Sequence, residues 1–133
     1  MKKFFGCILC LQLAACGGGL TTIEDEKVFF AFDSATISDA SRENLEAQSL
    51  YMKKHPDIKV LLAGHCDERG STEYNLALGA LRAGNAAHVL IADGIEPERI
   101  ETISYGKNRP QYLGTGEEVW AKNRNATTTV ISE

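Results

Sequence analysis

The sequence lacks three features that would each indicate a different class of protein. Its 14 lysines and arginines are outnumbered by 18 aspartates and glutamates, which argues against nucleic-acid binding and against adhesion to anionic lipids, because both need a basic surface. Its longest apolar run, Phe4 to Ala15, has about 12 residues, whereas a transmembrane helix needs about 20. His65, Cys66 and Asp67 are the one group that could bind a metal or form a Cys/His dyad, but adjacent residues in an extended chain point to opposite faces and chelate poorly. No second cysteine–histidine cluster follows, so we expect no enzymatic activity, metal or cofactor.

The N-terminus has the layout of a bacterial export signal. Two lysines precede the apolar run, whose length suits the core of a signal peptide. The run ends in Leu13-Ala14-Ala15-Cys16, which resembles the lipobox where bacterial lipoproteins are cleaved and acylated. We therefore predict a signal peptide over residues 1–15, lipidation of Cys16 and a flexible tether over residues 16–26. Gly17, the second residue of the processed chain, resembles lipoproteins destined for the outer membrane.

The four cysteines do not predict a disulfide. Cys7 and Cys10 lie in the predicted signal peptide, and the thiol of Cys16 is the predicted lipidation site. Only Cys66 then remains free, so no intramolecular disulfide can form.

The hydrophobic pattern predicts one α+β domain over residues 27–133. We predict strands at 27–32, 58–63, 99–104 and 125–131, and helices at 38–54, 71–92 and 117–123. Ser38 is the predicted N-cap of the first helix, and Asp93-Gly94 ends the second. Helices that cross between strands cover one face of a sheet, so the order predicts a two-layer β-α-β-α-β-(α)-β sandwich with a mixed sheet.

The second predicted helix carries two stripes of different chemistry. Ser71, Asn75, Leu78 and Arg82 recur at spacings of four and three residues and lie on one face. A second stripe is small and apolar, and we expect it to face the core; it comprises Leu76, Ala80, Ala83, Ala87 and Leu90.

Asp67 lies in the loop before this helix, and two interpretations of its relation to Arg82 remain open. The two side chains could form a salt bridge, which contributes only about 0–1 kcal/mol when exposed. Alternatively they flank a gap that holds the end group of an amino acid. Its ammonium would contact Asp67 and its carboxylate would contact Arg82, in charge-assisted hydrogen bonds worth about 1.5–3 kcal/mol each.

Residues 64–79, which read GHCDERGSTEYNLALG, and the following Arg82-Ala83 resemble the signature of the OmpA-like peptidoglycan-binding domain. The similarity extends from Val28 to Ile131 and is greatest to lipoprotein members of that family. It implies that Asp67 and Arg82 hold the free end of meso-diaminopimelate in the peptide stem of peptidoglycan. It also implies that other side chains contact or line the same pocket, namely Asp33, Ser71, Asn75, Leu78 and Arg124. The sequence departs from the family pattern at Cys66 and at Asn125, which replaces a second arginine.

The resemblance implies a non-enzymatic clamp between outer membrane and cell wall, with the domain in the periplasm. The partners it implies are peptidoglycan, the outer membrane through the lipid anchor, and TolB with other Tol proteins. An OmpA-like lipoprotein could also serve another envelope complex as its wall anchor or protein-interaction module. The sequence alone does not choose between these two assemblies.

Several other residues have structural interpretations. We expect His55 to cap the first helix and His65 to form a hydrogen bond in a loop. Gly79 and Gly84 interrupt the second helix, which indicates close packing of another element against it. Trp120 either packs the last helix onto the sheet or belongs to a protein-binding surface, and we favour packing.

Overall fold

The computed structural model describes residues 19–132. The predicted signal peptide and Cys16 lie outside these residues. In chain order the elements are β1 (Lys27–Phe29), α1 (Asp39–Lys54), β2 (Lys59–His65), α2 (Thr72–Ala92), a 3-10 turn (Pro97–Arg99), β3 (Ile100–Gly106), α3 (Glu117–Asn123) and β4 (Asn125–Ser132). Within this described part, no helix combines the length and apolar character needed to cross a bilayer.

The four strands form one mixed sheet in the order β1-β4-β2-β3. β2 and β3 run parallel, and α2 provides the crossover between them, as parallel neighbours require. β4 lies antiparallel to both β1 and β2, with Asn125 opposite Phe29 on one side and His65 on the other. This arrangement confirms the predicted α+β fold with a mixed sheet.

The two long helices begin and end where their capping residues predict. The Ser38 side chain accepts a hydrogen bond from the Ser41 amide at 3.1 Å, and Ser71 does the same for the Tyr74 amide. His55 caps α1, with its Nδ1 atom 2.8 Å from the Tyr51 carbonyl oxygen, as expected. Gly94 adopts a φ of 104° after α2, a conformation that glycine tolerates at helix ends.

The predicted core face of α2 is wrong over its first half. Leu76 is 37% exposed and Ala80 is exposed, whereas Asn75, Leu78 and Arg82 are buried. Asn75 and Arg82 can face inwards here because they find hydrogen-bond partners at His65, the last residue of β2, and in the loops that follow β1 and β2. Further along α2 the apolar stripe does enter the core, through Ala83, Ala87 and Leu90.

The folded domain begins before the predicted boundary at residue 27. Ile23 is fully buried in the core, and Leu20 packs against it. The Asp25 amide donates to the Thr128 carbonyl at 2.8 Å, and the Thr128 amide donates to the Glu26 carbonyl at 2.8 Å. The residues from Leu20 to Glu26 therefore belong to the fold, and the prediction of a flexible tether reaching residue 26 is corrected.

The two glycines of α2 occupy opposite environments. A Cβ atom on Gly79 would clash with Ser104 Oγ of β3 and would lie 3.0 Å from the Gly64 carbonyl oxygen of β2, whereas one on Gly84 would meet nothing within 4 Å. The prediction of close packing is therefore confirmed at Gly79 and wrong at Gly84.

We expect Gly79→Ala to lower the free energy of unfolding by about 1–3 kcal/mol, because the strands and helix must separate to admit the methyl group. Gly84→Ala is the matched control on the same helix, and it should raise that free energy by about 0.4–1 kcal/mol. Urea denaturation of both variants measures the difference. Equal effects of the two substitutions would contradict the packing argument.

Candidate functional site

A cavity of about 370 Å³ opens at the end of the sheet where β1 and β2 finish and α2 begins. Its wall combines apolar, acidic and basic side chains. The lining residues are Phe32, Asp33, Cys66, Asp67, Arg69, Gly70, Tyr74, Asn75, Leu78 and Arg82. Five of the seven side chains predicted to bind the ligand therefore meet here: Asp33, Asp67, Asn75, Leu78 and Arg82.

Asp67 is almost fully buried at the cavity wall, with 4% of its surface exposed. Arg69 donates to it from the backbone amide at 3.0 Å, from Nε at 3.1 Å and from Nη2 at 2.8 Å. Arg124 Nη1 lies 3.6 Å from the carboxylate. Burial opposes the charged form, but the hydrogen bonds from Arg69 and the nearby Arg124 charge outweigh it and lower the pKa of Asp67. The cavity therefore contains a permanently ionised carboxylate at neutral pH.

Arg69 was not among the predicted site residues. Its guanidinium carbon lies 4.0 Å from the centre of the Phe32 ring and 3.9 Å from that of Trp120. Stacking between two aromatic rings and pairing with Asp67 hold this cation at the mouth of the cavity. The signal in the sequence is weak, because Phe32 and Trp120 are far from Arg69 along the chain.

Arg82 is the largest fully buried side chain of the site, with 1% of its surface exposed. Its Nε donates to the Ser34 carbonyl at 2.8 Å, Nη1 to His65 at 2.9 Å and Nη2 to Ala31 at 3.0 Å. These bonds connect α2 to the ends of β1 and β2, and burial lowers the pKa of Arg82. A guanidinium has about five N–H donors, so donors remain beyond these three bonds, and Arg82 also lines the cavity.

No salt bridge links Asp67 to Arg82 among the described residues. Each is held by other groups, and both line the same cavity. The geometry therefore favours the second interpretation, in which the two side chains flank a gap.

Three more predicted residues complete the wall. Asp33 has a left-handed φ of 55° and accepts a short hydrogen bond from the Tyr74 hydroxyl. Asn75 donates from Nδ2 to the Arg69 carbonyl at 2.7 Å, which braces the loop before α2. Leu78 provides an apolar surface at the cavity floor. Asp33 supplies a second carboxylate beside the ionised Asp67.

Ser71 and Arg124 do not line the cavity. Ser71 caps α2 through its hydroxyl. Arg124 donates from Nε to the Phe30 carbonyl at 2.9 Å and pairs with Glu117, with Nη2 2.8 Å from Oε2. Arg124 therefore supports Asp67 without lining the cavity, and the exposed Ser71 stabilises the start of α2.

The two departures from the family pattern are accommodated without strain. Cys66 is buried and its Sγ donates to the Asn75 carbonyl at 3.3 Å, while burial raises the pKa of its thiol. Asn125 is fully buried and its Nδ2 donates to Gln111 at 2.7 Å and to the Lys122 carbonyl at 2.8 Å. The missing arginine is thus replaced by a neutral hydrogen-bond bridge to the loop before α3.

Trp120 was expected to pack α3 onto the sheet, but it packs against the site. Its Nε1 donates to Glu68 Oε2 at 2.8 Å, and its ring supports Arg69. The interpretation of Trp120 as a residue that packs α3 onto the sheet is therefore corrected: it connects α3 to the loop that carries Asp67.

His65 is the last residue of β2 and does not lie in a loop as predicted, and the residue is 5% exposed. Its Nδ1 atom is buried without a hydrogen-bond partner. Burial, the largest influence, lowers the pKa of His65 below 6.5. The folded domain therefore holds this imidazole neutral.

As the pH falls, His65 is protonated at a higher pH in the unfolded chain than in the folded domain, so acid should favour unfolding. We expect the free energy of unfolding to be constant just above pH 7 and to fall as the pH drops below about 6.5. His65→Gln should flatten this slope between pH 6.5 and 5, whereas the exposed His88→Gln should retain it. Chemical denaturation across this pH range is the measurement, and an unchanged slope in His65→Gln would contradict the assignment.

Together the fold and the cavity define a small α+β domain with a charged pocket at one end of its sheet. The chain belongs to the OmpA family, whose sequence model matches residues 29–124. This membership confirms the resemblance predicted from the sequence, and it agrees with the prediction that the chain is not an enzyme.

Three relatives show where the similarity lies. The peptidoglycan-associated lipoprotein of Legionella pneumophila is 44% identical over 95 residues, which are 71% of this chain and 54% of that protein. The protein of the same name from Mesorhizobium japonicum is 39% identical over 105 residues, covering 79% and 62% of the two chains. The crystal structure of the peptidoglycan-associated lipoprotein from Burkholderia pseudomallei has a TM-score of 0.76 and 39% identity, covering 79% of this chain and 89% of that one. The matches thus span about half to three fifths of the curated relatives.

Proposed function

We propose that this protein is an outer-membrane lipoprotein that binds the peptide stem of peptidoglycan without a covalent bond. Lipid on Cys16 would hold the membrane, and the cavity would hold the diaminopimelate side chain of the stem. The domain boundaries that go with this proposal are a signal peptide over residues 1–15 and a lipidated Cys16 followed by a short tether. The relatives' name, peptidoglycan-associated lipoprotein, supports both halves of the proposal.

The observation that carries the proposal is the charge pattern of the cavity. Asp67 is ionised and buried, Asp33 supplies a second carboxylate, and the guanidinium groups of Arg69 and Arg82 are on the same wall. The free end of meso-diaminopimelate is an ammonium and a carboxylate on one carbon. Its ammonium fits beside the acids and its carboxylate beside the guanidinium groups, in charge-assisted hydrogen bonds.

Within this arrangement, the acids and bases have different tasks. Asp67 and Asp33 attract the ammonium of the ligand. Arg82 keeps the strand ends and α2 at the right separation through its three carbonyl contacts, and directs its remaining donors to the carboxylate. Arg69 shields Asp67 from solvent in the unliganded domain, because it already occupies one face of that carboxylate.

Co-sedimentation with purified cell walls tests the proposal. The full-length protein in detergent should pellet with peptidoglycan that contains meso-diaminopimelate, and a free diaminopimelate stem peptide should release it. Walls with lysine in the same position are the matched control, because lysine has the ammonium but lacks the carboxylate of the end group. Equal sedimentation with both walls, or no release by the free peptide, would refute recognition of the zwitterionic end.

The wider assembly is a separate part of the proposal. By family resemblance the protein would act in a Tol–Pal-like system and bind TolB and other Tol proteins, or it would anchor another envelope complex. A pull-down of periplasmic proteins with and without added stem peptide distinguishes these cases. Capture of TolB that the peptide prevents would support the first, and capture of a different envelope protein would support the second.

A further inference from the structure

Building on the proposed function, we infer that the domain stands directly on the outer membrane and holds its cavity at the end that points away from the bilayer. The cavity then lies no more than about 40 Å above the lipid anchor, so the protein reaches only peptidoglycan close to the membrane. The inference depends on Cys16 being the lipidated residue.

The first step is the entry point of the chain into the fold. Ile23 is fully buried, and Leu20 packs against the same core. Asp25 and Glu26 form backbone hydrogen bonds with Thr128, the fourth of the 8 residues of β4, and Glu24 Oε1 accepts a hydrogen bond from the Val130 amide at 2.8 Å. The chain therefore enters the domain beside the later part of β4 and not beside its first residues.

The second step is the position of the cavity. β4 begins at Asn125, which lies opposite His65 at the end of β2, directly before the Asp67 loop. Phe29 at the end of β1 also pairs with Asn125. The cavity thus lies at the first residues of β4, whereas the chain enters farther along the same strand, beside Thr128 and Val130.

The third step is the length of the connection. From Cys16 to Leu20 is about four residues, which extend to at most about 13–14 Å. β4 (Asn125–Ser132) has 8 residues, which span about 27 Å. The sum is about 40 Å. Because the tether is shorter than β4, the bilayer must lie near the end of the sheet that is away from the cavity.

The surface next to the bilayer is then the turn between α1 and β2 together with the end of β4. It carries charges of both signs, with Lys54 and Lys59 near Asp57 and Glu98. This mixture gives no strong attraction to anionic lipid. The short connection, and not electrostatic adhesion, holds this end of the domain at the membrane.

Energy transfer from a dye on the protein to acceptor lipids measures the orientation without any ligand. The full-length lipidated protein is placed in vesicles after labelling at Asp57→Cys, next to the predicted membrane side, or at Leu113→Cys. Leu113 is 86% exposed and lines a neighbouring pocket that shares Cys66 with the cavity. Cys66 is buried, so it should not take the label. The two dyes should differ in height by about 20–25 Å, with stronger transfer from position 57.

A spacer tests the role of the short connection. Twenty glycine and serine residues inserted between Gly19 and Leu20 add an average reach of about 25 Å and should weaken transfer from both positions. The same twenty residues added after Glu133 are the control and should change neither. Equal transfer from the two dyes, or no effect of the inserted spacer, would overturn the inference. Cell-wall co-sedimentation separately reports the proposed function, so a failure of one is distinguishable from a failure of the other.

Discussion

Arg82→Ala should lower the free energy of unfolding by about 3–5 kcal/mol, the largest loss that we expect from any single substitution at the site. The side chain is 1% exposed and donates to the carbonyls of Ala31, Ser34 and His65. Alanine would remove the donor from the buried His65 carbonyl and from the partly buried Ser34 and Ala31 carbonyls, and a buried group left unsatisfied costs about 1–3 kcal/mol before relaxation. The ends of β1 and β2 would then lose their connection to α2.

Urea denaturation followed by circular dichroism measures this loss. Leu81→Ala is the matched control, because Leu81 is the neighbouring residue of α2 and is 58% exposed. Its effect should stay within about 0.5 kcal/mol. Arg82→Lys should fall between the two, since one ammonium cannot reach three carbonyls that surround a planar guanidinium. Stability of Arg82→Ala equal to that of the unsubstituted protein would show that the three hydrogen bonds have no net effect.

A second large effect is expected at Asp67, and it should appear in binding. Asp67→Asn keeps the shape of the side chain but removes the charge that the proposed function places against the ligand ammonium. A charge-assisted hydrogen bond contributes about 1.5–3 kcal/mol. The affinity for a diaminopimelate stem peptide should therefore fall by about 10- to 100-fold, since each 1.4 kcal/mol is a factor of ten.

Isothermal titration with the stem peptide measures this change on a variant that remains folded. Arg124 keeps its pair with Glu117 and Arg69 keeps its aromatic neighbours, so the loop should hold its shape in Asp67→Asn. Glu73→Gln is the matched control, because it removes an exposed carboxylate from the first turn of α2, the helix that follows the Asp67 loop. It should bind as tightly as the unsubstituted protein. A folded Asp67→Asn with unchanged affinity would remove Asp67 from the binding site.

Arg82→Ala and Asp67→Asn should differ in effect, since the first mainly lowers stability and the second mainly lowers affinity. The family resemblance assigns Asp67 and Arg82 to the same end group of the ligand, and both line the cavity. Arg82 connects α2 to the end of β2 through its hydrogen bond to His65. Asp67 remains ionised at the cavity wall because Arg69 donates hydrogen bonds to it. Loss of binding in Arg82→Ala alone would not establish contact with the ligand, and it has to be interpreted together with its stability.

The sequence predicted most of the secondary structure, because the relevant signals are local. Ser38 and Ser71 are hydroxyl caps, Gly94 tolerates a positive φ, and the predicted helix at 117–123 matches α3. A buried strand with a short polar loop after it marked the position of Asp67. These features depend on residues within a few positions of one another, so a single sequence contains them.

The sequence alone determined the class of domain and the order of its elements, and its family resemblance indicated the five side chains that meet at the cavity. Only the tertiary structure decided which face of α2 is buried, that Arg69 stacks between Phe32 and Trp120, and that Ile23 belongs to the core. The reason is physical: hydrogen bonds such as those of Arg82 join residues about 50 positions apart. Their partners are set by how the strands and helices pack, and no local pattern in the chain specifies them.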